Sequence, residues 1–214
     1  MAMDLLDAAG AERLFRAGVS ELQLSREVQS LGRKMFGRFK HWHKRIVRAG
    51  ANTLFTYGGA PPDLVVQSDD ILFLDLGPVF DSWEADIGRT YVIGDDPAKI
   101  RLRDAVEAAW RAGRDHFQQN RETVTGADMY ALAVESARSN GYEYGNWHAG
   151  HLIGNFPHEI VQGEMGDNYL HPGNATRLGA PDAAGHARTW IYEIHFIDRA
   201  RGYGAFFEQW LEQD

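Results

Sequence analysis

The chain reads as an α+β protein, and three observations carry that reading. Apolar stripes at helical spacing have cap signals at their ends, short apolar runs come in two hairpin-like pairs, and strands do not alternate singly with helices as a doubly wound sheet requires. The 214 residues suit one unit spanning 1–214.

The elements follow in order. A helix over about residues 3–17 is expected to be weakened by Gly10. Ser20 with Gln23 three residues on forms a capping-box pattern, and Leu24, Val28, Leu31 and Met35 then line one face of a helix. From Arg33 to Arg48 the chain holds seven Lys/Arg and no acid, with Phe36, Phe39 and Trp42 between them. That stretch reads either as a nucleic-acid patch or as a solvated helix face running into a strand. After the turn-rich segment 58–63 come two strand-like runs, Ile71–Leu76 and Asp86–Val92, joined through Gly77, Pro78 and Asp81. Asp95-Asp96-Pro97 opens a helix to about Gln119, with Leu102, Val106, Ala109 and Trp110 facing inward. Thr125 and Asp128 open another, which Asn140-Gly141 stops. Residues 162–188 are irregular and long for a connection, and two closing strands fall around Trp190–Ile197 and Ala205–Leu211.

Composition narrows the chemistry. With no cysteine, a disulfide scaffold, a zinc ribbon, an iron–sulfur cluster and a thiol nucleophile are excluded, so any metal must be held by oxygen and imidazole. Thirty acids against 22 Lys/Arg give a net charge of −8, which argues against wholesale nucleic-acid coating. No apolar run is long enough for a membrane span, and no signal-peptide core opens the chain, so a cytoplasmic protein without membrane contact is the expectation.

Four carboxylates stand inside apolar strand-like runs, where an unpaired charge costs several kcal/mol. They are Asp75 in ILFLDLG, Asp86 in EADIGRTYV, Glu193 in TWIYEIHFI and Glu208 in GAFFEQWL. Each pair, 11 and 15 residues apart, can bring its carboxylates to a shared face of paired strands, where a cation relieves their repulsion. Any one alone reads as a strand-end residue. Carboxylates by themselves suit Mg²⁺ or Ca²⁺, and an imidazole is needed for a transition metal. The segment Trp147–Glu159 supplies His148, His151 and His158, with Gly150 and Gly154 near His151 permitting close backbone approach.

These residues carry a resemblance. The segment GHLIG…FPHE resembles the Gly-His-x-x-Gly…His-Glu signature of the pita-bread metallopeptidases, the family of methionine aminopeptidase, aminopeptidase P, prolidase and creatinase. Asp75, then Asp86-Ile-Gly-Arg-Thr, then Glu193 and Glu208, resemble the rest of its ligand pattern in the same order. The resemblance implies the pita-bread fold, a curved antiparallel sheet covered by helices, in a single catalytic domain over 1–214. It implies two divalent metals (Mn, Co, Fe or Zn) held by Asp75, Asp86, His151, Glu193 and Glu208, with Asp86 and Glu208 bridging. His158 would be catalytic, donating a hydrogen bond to the carbonyl oxygen or the tetrahedral intermediate. The implied reaction is hydrolysis of a short peptide or small amide by a metal-bound hydroxide, as in an Xaa-Pro aminopeptidase or dipeptidase, and a homodimer is implied as well.

The pattern departs from the family in two places. Thr56 or Tyr57 stands where the family places a further active-site histidine, and Phe206 stands where prolidase-like members often place arginine. Two histidines are read as substrate-binding. His195 shares a strand face with Glu193, with partnering a carboxylate ligand as its alternative role, and His148 lies close to the motif. His41, His43, His116, His171 and His186 have no motif support and read as surface or loop residues, and Arg89 as a structural group near Asp86. Two other readings of the chain stay open: a hydrolase or lyase acting on a small non-peptide metabolite, and a binding protein using the 33–48 stretch.

Overall fold

The computed structural model describes residues 1–155, 166–182 and 185–212. Helices α1 (Ala2–Ala11), α2 (Glu21–Phe36), α3 (Pro97–Asn120) and α4 (Gly126–Ser139) accompany a seven-stranded sheet. Its strands are β2 (Ile46–Ala49), β3 (Ile71–Leu76), β6 (Ile87–Val92), β7 (Glu143–Tyr144), β8 (Leu152–Ile153), β9 (Thr189–Asp198) and β10 (Tyr203–Trp210). The main path runs β2-β3-β6-β10-β9-β7, antiparallel throughout, with β8 pairing on β9. A smaller sheet joins β1 (Lys40–His41), β4 (Pro78–Phe80) and β5 (Trp83–Glu84) in the order β1-β4-β5. The α+β expectation is met.

The period-two alternation of a strand divides the large sheet into two chemically different faces. Leu72, Leu74 and Leu76 of β3 pack with Leu5, Leu24 and Val28 of α1 and α2. Tyr192, Ile194 and Phe196 of β9 and Ala205 and Phe207 of β10 pack with Leu102, Trp110 and Phe117 of α3 and with Met129 of α4. The other parity, Phe73 and Asp75, Glu193 and His195, Phe206 and Glu208, stands on the opposite face, where Ile46, Phe73 and Phe206 form a small apolar floor. The helices thus cover one face, and the acids are left on the other.

Cap chemistry explains the helix starts. Asp96 accepts from Ala98 N at 2.8 Å ahead of Pro97, and Thr125 and Asp128 make a reciprocal capping box. The box expected at Ser20 is half formed: Ser20 Oγ accepts from Gln23 N at 3.2 Å, while the Gln23 side chain turns to Glu27. Helix α1 ends at Ala11, short of the expected residue 17, and Met35 is 37% exposed rather than part of the buried stripe. Arg89 is structural as expected, donating to the carbonyls of Gly88 and Glu208 at 2.7 and 2.8 Å and so tying β6 to β10. The basic stretch is partly tied to the fold: Lys34 pairs with Glu12 at the surface, while Arg45 donates to Ser25 and Arg48 to the Gly59 carbonyl in part-buried positions.

Glu21, Glu84 and Asp198 are buried carboxylates that no sequence motif marks. Glu21, 5% exposed, accepts from Ala49 N at 2.6 Å and from the Asn52 amide at 3.0–3.1 Å, which locks the start of α2 to the chain after β2. Glu21→Ala strands those donors, so its unfolding free energy by urea titration is expected to fall by about 3 kcal/mol, a few times the net value of one ordinary hydrogen bond. A loss below about 1 kcal/mol would show that water replaces the carboxylate at little cost.

A candidate metal centre on the open face of the sheet

Strand register assembles the site. Glu208 lies directly opposite Glu193 across β10 and β9, Gly88 pairs with Glu208 on one side, and Gly88 pairs with Asp75 on the other. Asp75, Gly88, Glu208 and Glu193 therefore form one row across β3, β6, β10 and β9. Gly88 keeps the middle of the row open, because a methyl group there would collide with the Phe206 ring and lie 3.0 Å from Glu208 Cβ. Asp86, just before β6, completes the set. All four acids are buried, at 7% exposure for Asp75, 6% for Asp86 and Glu193, and 2% for Glu208.

His151 meets this row from above. It precedes β8, and Gly150 fixes its approach: with φ at +133°, a side chain at Gly150 would strike the Ile191 carbonyl of β9. His151 Nε2 lies 3.2 Å from Asp86 Oδ2 and 4.0 Å from Glu208 Oε1, while its Nδ1 faces the Leu152 carbonyl at 2.8 Å. The other Asp86 oxygen is taken by a residue the sequence reading had set aside. His43, expected as a surface or loop residue, does lie in a turn but not at the surface: its side chain is only 6% exposed, with Nε2 3.3 Å from Asp86 Oδ1 and 3.5 Å from Asp75 Oδ1. Among the described residues two groups can hold a cation by geometry, His43 with Asp75 and Asp86, and Asp86 with His151 and Glu208, each offering ligand atoms within 4.8 Å of one another.

The charges explain the titration behaviour. Burial raises Asp75, opposed by His43, and burial followed by the charges of Asp86, Asp75 and Glu193 pushes Glu208 well above the carboxylate range. Burial would raise Asp86 too, but hydrogen bonds from His151 and His43 outweigh it and hold this carboxyl below its usual range. Burial disfavours charge on both imidazoles, yet Asp86 leads the groups that push His43 and His151 up to about 9. Glu208 Oε2 is buried with no hydrogen-bond partner among the described residues. An unpartnered carboxylate oxygen in a nest of acids and imidazoles fits a divalent cation.

The remaining predicted residues fall differently. Glu193 is in the row, but its Oε1 lies 3.0 Å from His148 Nδ1 and its Oε2 accepts from Asn146 at 3.2 Å. His148, expected to contact substrate, is thus placed against a candidate ligand, beside the rings of Trp147 and Tyr169. His195, also expected at the substrate, is corrected: strand parity gives it the right face, but it is wholly buried between Phe73 and Phe206 with Nε2 on the Thr53 carbonyl at 2.8 Å. It has no surface left to offer a ligand. His158 lies outside the described residues. Tyr57, at the departure from the family pattern, is 52% exposed, with its ring 5.8 Å from that of His43.

Known proteins resemble this chain in sequence and in fold. Residues 1–209 match the model of metallopeptidase family M24. The chain is 28% identical over 171 residues to an Xaa-Pro dipeptidase of Lactobacillus helveticus, covering 74% of this chain and 46% of that protein. It is 27% identical over 143 residues to an Xaa-Pro dipeptidase of Pyrococcus horikoshii, covering 66% and 40%. The chain thus spans less than half the length of these curated relatives. Among solved structures, an X-Pro aminopeptidase from Thermotoga maritima superposes with a TM-score of 0.75 at 21% identity, over 99% of this chain and 58% of that one. A methionine aminopeptidase from the same organism superposes with a TM-score of 0.71 at 16% identity, over 98% and 92%. These neighbours share the pita-bread fold that the sequence motifs implied. The chain belongs to metallopeptidase family M24, a family of metal-dependent hydrolases.

Proposed function

We propose that this chain is a dinuclear metal-dependent hydrolase acting on short peptides or small amides, with Xaa-Pro dipeptides as the first substrates to test. The observation that supports it most is the row Asp75–Gly88–Glu208–Glu193, with Asp86 and His151 closing over it. In this reading Asp75, Asp86, His151, Glu193 and Glu208 would hold the ions. Bound divalent ions would supply an activated water and a Lewis acid for the scissile carbonyl. The chain's own residues do the rest: four carboxylates offset the charge of two ions, His148 and Asn146 orient Glu193, and Leu152 fixes the His151 tautomer through Nδ1. His158 is the group assigned to the developing oxyanion.

The test is hydrolysis of a panel of Xaa-Pro dipeptides by Mn²⁺- or Co²⁺-loaded protein, with a chelated control. Metal-dependent cleavage is expected. Thr56 and Tyr57, standing where the family places a histidine, favour one alternative on the same site, a small non-peptide amide or metabolite. Metal-loaded protein that ignores every peptide but turns over such a compound would transfer the proposal to it.

The raised imidazoles set a pH dependence. In metal-free protein their pKa of about 9 lies above the unfolded value of 6.5, so their stabilising contribution is complete below about 6.5 and is lost as pH rises through about 9. Metal binding needs neutral imidazole, so affinity should rise over that same window, with protons released on uptake. Calorimetric titration of Co²⁺ in buffers of different ionisation enthalpy measures both. A flat affinity with no proton release would contradict the assignment.

A further inference from the structure

We propose that His43 is an additional metal ligand, binding through Nε2 the ion held by Asp75 and Asp86, so that an imidazole stands on each side of the Asp86 carboxylate. The inference rests on the dinuclear reading above and adds to it a residue that the ligand pattern read from the sequence does not contain.

Distance comes first. Nε2 of His43 lies 3.5 Å from Asp75 Oδ1 and 3.3 Å from Asp86 Oδ1. Ligand atoms around one ion at bond lengths of about 2.1 Å in tetrahedral arrangement stand about 3.4 Å apart, so both distances from Nε2 match the spacing of a coordination shell, and the group's ligand atoms all lie within 4.8 Å of one another. The tautomer is also set. His43 Nδ1 lies 2.7 Å from the Lys44 carbonyl and must donate to it, which leaves the Nε2 lone pair of the neutral ring facing the two carboxylates. His151 is built the same way, with Nδ1 on the carbonyl of the next residue and Nε2 on the other Asp86 oxygen.

The position is held firmly. Trp42 N donates to the Gly77 carbonyl and Trp42 Nε1 to the Ala85 carbonyl, both at 2.9 Å, pinning the turn that carries His43. Gly77 has no side chain, and a methyl group there would collide with both the His43 and Trp42 rings. The small sheet β1-β4-β5 brings this turn over the site, with His41 opposite Pro78. A second imidazole shifts the donor set away from manganese and towards cobalt or zinc.

Cobalt titration of the whole chain tests this, comparing wild type, His43→Ala and His43→Cys by calorimetry and absorption. The chain has no cysteine of its own, so position 43 would carry the sole thiol. We expect wild type to bind two ions. His43→Ala should weaken one of them by at least about tenfold and leave the other within about threefold. His43→Cys should show a sulfur-to-cobalt charge-transfer band in the near ultraviolet. Wild type binding two ions, with His43→Ala unchanged and no band in His43→Cys, overturns the ligand assignment alone. Wild type binding no ion overturns the dinuclear reading and this inference together. A single wild-type ion that gives the band in His43→Cys upholds the ligand while removing the second metal. If the alanine variant misfolds, or the two variants disagree, the band decides.

Discussion

Asp86→Asn is expected to abolish binding of both metals and to reduce metal-dependent hydrolysis by at least about a thousandfold, or about 4 kcal/mol of transition-state stabilisation. Among the described residues, Asp86 is the one carboxylate with an imidazole on each oxygen, His43 on Oδ1 at 3.3 Å and His151 on Oδ2 at 3.2 Å. Asparagine keeps the shape but offers one weak oxygen donor in place of two charged ones, and its NH₂ points at whichever imidazole loses its acceptor. Neither candidate ion group survives, since Asp86 belongs to both. The measurement is kcat/KM on the best dipeptide alongside metal content. Activity above one-tenth of wild type would show that Asp86 is not shared between two ions.

Gly150→Ala is expected to cost about 3–4 kcal/mol of unfolding free energy and to weaken metal binding as well. Its φ of +133° lies in a region that side chains rarely tolerate, and a methyl group there would run into the Ile191 carbonyl. The strain cannot dissipate locally, because Glu193 N donates to the Ala149 carbonyl at 3.0 Å and Ile191 N to the His151 carbonyl at 2.9 Å. The neighbouring ligands therefore move with it. Denaturant midpoints of metal-free protein measure the first effect and cobalt affinity the second. A change below about 1 kcal/mol would show that the segment before β8 can slide along β9 without cost.

Much of this was legible because burial of charge is expensive. Asp75, Asp86, Glu193 and Glu208 stood out as acids in apolar runs, and the structure places all four on the face that the helices leave open. The caps at Asp96 and Thr125 were equally plain, because cap chemistry is local. What depended on long-range pairing was not legible. His43 lies in a turn brought to the site by the two- and three-residue strands of the small sheet, so no period or spacing pointed to it. For His195 the alternation gave the right face but not the depth, and only packing against Phe73 and Phe206 reveals that it is sealed. Gly88 was visible as a motif letter, but its role as the gap between two acids appears only in the register.

One face of the sheet is expected to hold two metal ions. The most direct measurement is metal content per chain, by mass spectrometry of the element against quantitative amino-acid analysis, after reconstitution with excess Co²⁺ or Mn²⁺ and removal of free ion. The arrangement of Asp75, Asp86, His151, Glu193 and Glu208 predicts two ions per chain. One ion or fewer would contradict it.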